Sequence, residues 1–315
     1  MLNTVWVDRL DAAVTEEVLS LLRAAMAVDG RPEIADAAEV LPGEFAGGAH
    51  LLATESGELV GYAHLDTTGD AHGRQVAELI VRPERRREGH GAAMVAALVE
   101  RAGASALTSP GTTEATGTLR VWAHGDHPGA AALAARTGFV RDRELLVMHV
   151  PVPGADWPEP VPPAGVTLRT FVPGQDERAV IAVNARAFSW HPEQGALTVE
   201  DLVAEQAEAW FDADGFFLAE NAAGEVVGFH WTKVHPPNPK RFGGERTGEV
   251  YVVGVDPGAQ GGGLGRALTL AGLRHLRERG LPQVILYVEG DNAPAVAVYE
   301  RLGFARHEVD VQYGR

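Results

Sequence analysis

Two stretches of this chain follow one pattern, and that repetition most restricts the folds open to it. Leu79 to Gly91 reads LIVRPERRREGHG, and Val253 to Gly265 reads VGVDPGAQGGGLG. Set on Pro83 and Pro257, each has an apolar triplet, one variable residue, the proline, two more residues, then Arg86 or Gln260. Each closes on Gly-x-Gly, at Gly89 and Gly91 or at Gly263 and Gly265. A second match follows in the same order, Thr137-Gly138-Phe139 against Leu302-Gly303-Phe304, each after an alanine-rich segment. Two matches in one order point to a duplicated domain. The fold must therefore be one that roughly half of the 315 residues can build, twice.

Between the copies, Pro151 to Pro163 reads PVPGADWPEPVPP, six prolines in thirteen residues. Proline fixes φ and lacks a donor, so an extended, semi-rigid linker is expected. The expected division is a first domain at 1–150, a linker at 151–165 and a second domain at 166–315.

Each half shows the same order of elements. In the first, a strand near Thr4–Val7 precedes a helix over Ala12–Ala27, with Leu19, Leu22 and Met26 on one face. A short helical segment is expected around Ile34–Val40. A hairpin follows, His50–Thr54 and Leu59–Leu65, turning at Ser56-Gly57-Glu58. The strand Val76–Val81 enters the glycine turn and a helix over Gly89–Arg101. Strand Leu119–Trp122, a helix over Ala130–Arg136 and terminal strands through Val150 complete the half.

The second half repeats this, with a strand at Val166–Arg169 and helices at Asp176–Ala187 and Thr198–Ala209. A hairpin, Phe216–Glu220 and Val226–Thr232, is followed by strand Glu249–Val255. Helix Gly263–Arg279 has Leu264, Leu268, Ala271 and Leu276 on one face. Strand Gln283–Val288, helix Asn292–Arg301 and a strand near Glu308–Tyr313 end the chain. This is an α+β class, each domain a mixed, largely antiparallel sheet flanked by helices.

A net charge of −16 argues against a nucleic-acid or anionic-membrane surface and suits a cationic substrate. No apolar run approaches the roughly 18 residues of a membrane span. The opening MLNTVWVDRL lacks the basic and apolar regions of a signal peptide, so a cytoplasmic location is expected. The absence of cysteine excludes disulfides, thiolate metal ligands and a thiol nucleophile. His124-Gly125-Asp126-His127 resembles a metal site but is read as a polar loop, and no metal is expected.

Strand, glycine turn and helix start present bare backbone N–H groups, with the helix dipole behind them, to an anion. Neither copy is a Walker loop, because no Gly-Lys-Ser/Thr follows, and neither completes GxGxxG. Both resemble the pyrophosphate loop of the GCN5-related N-acetyltransferases, Arg/Gln-x-x-Gly-x-Gly/Ala. Asn292-x-x-Ala295, with Tyr299-x-x-x-Gly303-Phe304 beyond it, looks like that family's second CoA-contacting helix and its terminal Tyr, Gly and Phe. The resemblance implies two tandem domains of that fold and acetyl-CoA as co-substrate, with room for one per domain. In the first copy it places the cofactor on Leu79, Ile80 and Val81 and on Arg87, Glu88, Gly89, His90, Gly91 and Ala92. In the second it implies Val253, Gly254 and Val255, then Gln260, Gly261, Gly262, Gly263, Leu264, Gly265 and Arg266. It adds Asn292, Ala293, Pro294, Ala295, Val296 and Ala297.

Acetyl transfer to an amine needs a base, donors for an oxyanion and an acid for the leaving thiolate. Glu249 opens the strand beside the cofactor arm, and Tyr299 stands four residues before Gly303, so these are the candidate catalytic residues. By resemblance the Val255 N–H faces the thioester carbonyl. The same registers put Gln75 opposite Glu249 and Ala134 opposite Tyr299 in the first half. Neither can exchange a proton usefully, so the second domain is expected to be catalytic and the first to bind CoA without turnover.

Three further islands exceed the general pattern: HPEQG from His191, FHWTKVHP from Phe229 and LYVEGDN from Leu286. They resemble tandem members of the family whose acceptor is a small-molecule amine, the cysteinyl amine of a pseudo-disaccharide cysteine conjugate. By that resemblance Asp36, Glu193, Lys233, Glu249 and Tyr287 contact the acceptor, with Glu39 a rival for Asp36. The chain is expected to act as a monomer. Two other readings stay open: an N-acetyltransferase for another small amine or a peptide N-terminus, and a non-enzymatic acetyl-CoA sensor.

Overall fold

The computed structural model describes residues 1–30, 41, 45, 47–67, 74–106, 119–189, 194–238 and 241–315. The expected helix at 34–40 lies outside them. The chain divides into two compact units, Met1–Glu144 with Val309–Arg315, and Leu145–Glu308.

The first unit opens with β1 (Asn3–Val7) and α1 (Ala12–Asp29). Asp11 accepts from the Val14 N–H at the head of α1, and Gly30, at φ 73°, ends it in the left-handed conformation. Then come β2 (Ala49–Glu55), β3 (Glu58–Asp66), β4 (Gln75–Val81), α2 (His90–Ala106), β5 (Leu119–Ala123) and α3 (Pro128–Thr137). β1 to β4 form an antiparallel meander, and β5 joins parallel to β4. One face of the sheet packs Leu51, Ala63 and Ala77 against Met94 and Leu98 of α2. The other packs Leu59 and Tyr62 against Val18, Leu19 and Leu22 of α1.

The second unit repeats the plan with β7 (Thr167–Thr170), α4 (Glu177–Ala187), α5 (Val199–Gln206), β8 (Phe216–Glu220), β9 (Val226–His235) and β10 (Thr247–Val255). α6 (Leu264–Glu278), β11 (Gln283–Glu289) and α7 (Ala293–Arg301) follow. β7 to β10 are antiparallel neighbours, and β11 lies parallel to β10. Its aromatic core stacks Phe216 on Trp231, with ring centroids 4.8 Å apart.

The ends of the two halves differ from expectation. β6 (Val140–Pro151) leaves the first unit after Glu144, and Leu145 to Pro151 pair antiparallel with β11. Leu146, Val147, Met148 and Val150 are buried there, which is why the strand belongs to the second unit. In return the last strand, β12 (Ala305–Gly314), gives Val311 to Gly314 to β5. Val311 and Tyr313 complete the α2-side core of the first unit. The first unit therefore ends at Glu144 rather than at residue 150 and closes only with the end of the chain.

The proline-rich stretch is no free spacer either. Val152 N–H donates to Pro282 O (2.8 Å), Trp157 is buried with its Nε1–H on Leu302 O (3.0 Å), and Arg274 donates to Trp157 O (3.2 Å). The prolines hold the strap extended, while burial of Val152 and Trp157 fastens it to the second unit.

In both units the parallel pair parts early. β4 and β5 pair from Gln75↔Leu119 to Glu78↔Trp122, and β10 and β11 from Gly248↔Val284 to Val250↔Leu286. Beyond those points each sheet opens into a notch.

Candidate functional site

The glycine loops fold alike. Arg87 and Gly89 have φ of 65° and 92°, and their counterparts Gly261 and Gly263 have 88° and 85°. Alternating left-handed residues turn successive N–H groups inward, forming an anion-binding nest at the starts of α2 and α6. The first motif residue has a structural reason. Arg86 Nε–H donates to Val81 O (3.1 Å) and Gln260 Nε2–H to Val255 O (3.2 Å), so each side chain ties the loop to the strand before it. Arg86 is also bound twice by Asp29, at 2.8 and 2.5 Å. Arg85 binds Glu55 and Glu88, and His90 Nε2 lies 3.2 Å from Glu88. Glu55, Glu88 and His90 could suit a cation, but that guanidinium already bridges both carboxylates. Arg87 and Arg266 make no ion pair among the described residues. Space matters as well: a Cβ on Gly91 would meet Leu133 at 3.2 Å.

The strand edges facing the notches present N–H groups without a strand partner. Asp256 N–H donates to Val227 O and Arg82 N–H to Val60 O, both at 2.9 Å. In an antiparallel ladder this alternation turns the N–H groups of Val253 and Val255, and of Leu79 and Val81, to the opposite edge. Those edges can bind an extended amide-bearing chain such as pantetheine. In the first unit the notch opens into a cleft of about 680 Å³, lined by Leu79 to Val81, Arg85 to Arg87 and Gly89 to Ala92. At the second notch, Asn292 caps α7, its Oδ1 accepting from Ala295 N–H (3.3 Å). Ala293 and Pro294 are exposed, Ala295 and Ala297 are half-buried, and Val296 is buried.

On the other side of β10 the chemistry gathers. Glu249 is 5% exposed and stands directly opposite Lys233 of β9. One carboxylate oxygen, Oε2, lies 2.6 Å from His235 Nε2; the other takes no hydrogen bond from the described residues. Lys233 Nζ sits 4.2 Å above the Trp210 ring and 4.6 Å above that of Tyr251. The β9–β10 register slips between Val250 and Val252, so Tyr251 occupies a β-bulge. Its hydroxyl donates to Glu205 (3.0 Å), and burial, with the Glu205 charge, raises its pKa. The β3–β4 ladder of the first unit runs through the matching stretch without a shift.

Tyr299 is half-buried on α7, edge-on to Phe304 at 5.9 Å, and its hydroxyl makes no hydrogen bond among the described residues. Burial pushes the phenol up to about 12, so it stays protonated at neutral pH. Tyr287 is 38% exposed and accepts a hydrogen bond from Arg241 Nη1 (3.1 Å), whose other arm binds Glu308 (3.0 Å). Asp36, its rival Glu39, and Glu193 lie outside the described residues. The neighbours of Glu193 are well held. Asn184 Nδ2–H donates to the Gln194 backbone O (2.6 Å), Gln194 Nε2–H donates to Asn184 Oδ1 (3.0 Å), and a Cβ on Gly195 would strike Phe188 O.

Sequence reasoning missed His235, Trp210, Tyr251 and Arg241. His235 stood within a noted island beside His230, with nothing to separate them. The fold does so: His230 is fully buried with Nδ1–H on Leu268 O (2.8 Å), and burial lowers it to about 4. It is a neutral core residue.

The sequence alignment puts Gln75 and buried Ala134 of the first unit at the places of Glu249 and Tyr299; because the first sheet lacks the bulge, its strand register sets Val76 rather than Gln75 level with Glu249. Its cleft holds a different polar group. His124 lies with Nε2 3.3 Å from Glu78 and Nδ1 3.3 Å from Asp310. Burial opposes a charge there, but the hydrogen bonds to Asp310 and Glu78 prevail and raise the imidazole to about 10. An imidazolium with both N–H groups taken cannot accept a proton.

Two notched sheets with N–H-lined loops define the acyl-CoA-dependent N-acetyltransferase class. The sequence pattern of the Acetyltransferase (GNAT) family matches residues 184–304, and that of the Acetyltransferase (GNAT) domain matches residues 46–141. A GCN5-related N-acetyltransferase from Sphaerobacter thermophilus shares the fold, with a TM-score of 0.75 at 24% identity over 99% of this chain and 95% of its own. The mycothiol acetyltransferase of Amycolatopsis mediterranei is 64% identical over 98% of each chain. That of Saccharomonospora viridis is 62% identical over 100% of this chain and 99% of its own. The chain belongs to the mycothiol acetyltransferase family and is an acetyl-transferring enzyme of the tandem GNAT type.

Proposed function

We propose that the chain transfers acetyl from acetyl-CoA to the cysteinyl amine of desacetylmycothiol, 1D-myo-inositol 2-(L-cysteinylamino)-2-deoxy-α-D-glucopyranoside, giving mycothiol and CoA. One observation carries the reading: a buried carboxylate, Glu249, faces an ammonium, Lys233, that aromatic rings hold apart from it. The pair offers an anion to the acceptor's ammonium and three donors to its sugar and inositol hydroxyls.

In this mechanism the second unit does the chemistry. The Gln260–Arg266 loop takes the pyrophosphate, and the free edge of Val253 to Val255 takes the pantetheine. An α-amine has a pKa of about 7.7–8.0, so much of it arrives as ammonium. Glu249 removes that proton. The Val255 N–H donates to the oxyanion that develops on the thioester carbonyl. Tyr299, still protonated, gives its proton to the departing thiolate. Tyr287, held by Arg241, and Glu193 complete the acceptor contacts. The first unit binds a second acetyl-CoA in its cleft without turning it over, since Gln75, Ala134 and the locked His124 supply no base.

The test is product formation by the purified chain with acetyl-CoA and desacetylmycothiol, followed by mass spectrometry. Mycothiol is expected, with far slower acetylation of glucosamine, an aminoglycoside and a peptide N-terminus. Brisk acetylation of those amines without mycothiol would overturn the acceptor assignment.

A further inference from the structure

Glu249 is nearly sealed from water, and a carboxylate so placed costs free energy unless its oxygens are hydrogen-bonded. Among the described residues its sole hydrogen-bond partner is His235, at 2.6 Å. Lys233, the nearest cation in register, is held on Trp210 and Tyr251, and His230 on the same strand is committed to Leu268. We propose that His235 is the positioning residue for Glu249, an inference that rests on the reading of Glu249 as the base.

An ionised carboxylate only accepts, so Nε2 carries the hydrogen and donates it to Oε2. The bond fixes the carboxylate and leaves Oε1 to meet the amine. It also gives a buried carboxylate the one hydrogen bond it has among the described residues. The proton balance follows. The ammonium proton moves to Oε1, the Nε2–H stays on His235, and no proton passes through the ring.

The fold holds the donor in place. His235 is the last residue of β9, and Pro236 and Pro237 prevent the ladder from continuing. His235 stands opposite Thr247, two residues before Glu249, so both side chains emerge on one face of the sheet. Thr247 is itself buried and its Oγ1 accepts from Gln283 Nε2 (3.2 Å), which steadies the strand beneath the pair. The His235 side chain is 37% exposed, so replacing it disturbs little packing.

The experiment compares His235→Ala and His235→Gln in the full-length enzyme, with Glu249→Gln as reference. Gln places an amide N–H near the position of Nε2. The alanine variant is expected to lower kcat by about 10–100-fold, the scale for leaving a buried charged acceptor unpaired. KM for acetyl-CoA should stay near wild type, and His235→Gln should recover most of the rate. Wild-type kcat in the alanine variant would overturn the proposal, as would a glutamine variant no better than alanine. If Glu249→Gln keeps the wild-type rate, the reading of the base itself fails. If Glu249→Gln is impaired and His235→Ala is not, only the role of His235 falls.

Discussion

Lys233 and Glu249 face each other across the β9–β10 ladder, yet they form no ion pair, because the ammonium rests on the rings of Trp210 and Tyr251. Opposite charges in that register would ordinarily attract. Seating a cation on aromatic faces is worth about 0.5–2 kcal/mol, and two rings share this one. Both charges then remain available to a substrate. Lys233→Met should raise the acceptor KM by about 10–100-fold with kcat nearly unchanged, as loss of charged donors requires. Trp210→Ala should also lower kcat, since the freed lysine can fall onto Glu249. Initial rates at varied acceptor concentration separate the two outcomes.

Glu249→Gln keeps the shape of the side chain and removes the base. A loss in kcat of about 10²–10⁴ is expected. Calorimetric binding of acetyl-CoA should be unaltered in the same protein, and a loss of binding would place Glu249 in the wrong role.

Tyr299→Phe deletes a hydroxyl that bonds nothing among the described residues, so the melting temperature should hardly move. Its proton is retained up to about 12, so it should not shape the rate profile between pH 6 and 9. The rate with acetyl-CoA should fall, and fall less with an acetyl donor whose thiol is more acidic. An equal loss with both donors would refute Tyr299 as the acid.

His124 gives a pH signature. Its ordinary pKa is about 6.5, and the pair Glu78 and Asp310 raises it to about 10 in the folded unit. The folded state therefore holds the proton more tightly. That stabilisation is complete below about 6.5, fades as the pH rises and is gone once the pH passes about 10. Thermal melts from pH 6 to 10 should show a downward slope that Asp310→Asn flattens. An unchanged slope would mean that Asp310 does not hold the proton on His124.

The loops can be tested one at a time. Gly89 at φ 92° and Gly263 at φ 85° tolerate no β-carbon without strain. With two acetyl-CoA molecules bound per chain, Gly89→Val and Gly263→Val should each lower the calorimetric stoichiometry toward one. Gly263→Val alone should abolish turnover. Loss of turnover in Gly89→Val, with its second loop still binding, would reverse the assignment of the two units.

What could be read in advance was whatever sits in local order. Glycine spacing, apolar periodicity and the duplication carry their own register, so the turn before each of α2 and α6 and those two helices were legible. Partners brought together by pairing across strands were not. His235 and Glu249 are fourteen residues apart and meet only through the antiparallel register. Trp210 reaches Lys233 from a loop after α5. His124 looked like a metal motif because Asp126 and His127 follow it, while its true partners come from β4 and from the end of the chain. The proline stretch misled for a related reason: composition shows that a segment is extended, not what it lies on.

Residues 309–315 finish the sheet and core of a unit whose other residues end at 144. On the ribosome, those seven residues emerge only after the whole of 145–308. Until then β5 has a bare edge, and Val311 and Tyr313 are missing from beneath α2. The nascent first unit cannot mature ahead of the second, as beads on a string would. The first unit is completed last, and a ribosome that stalls near residue 300 leaves it without its closing strand.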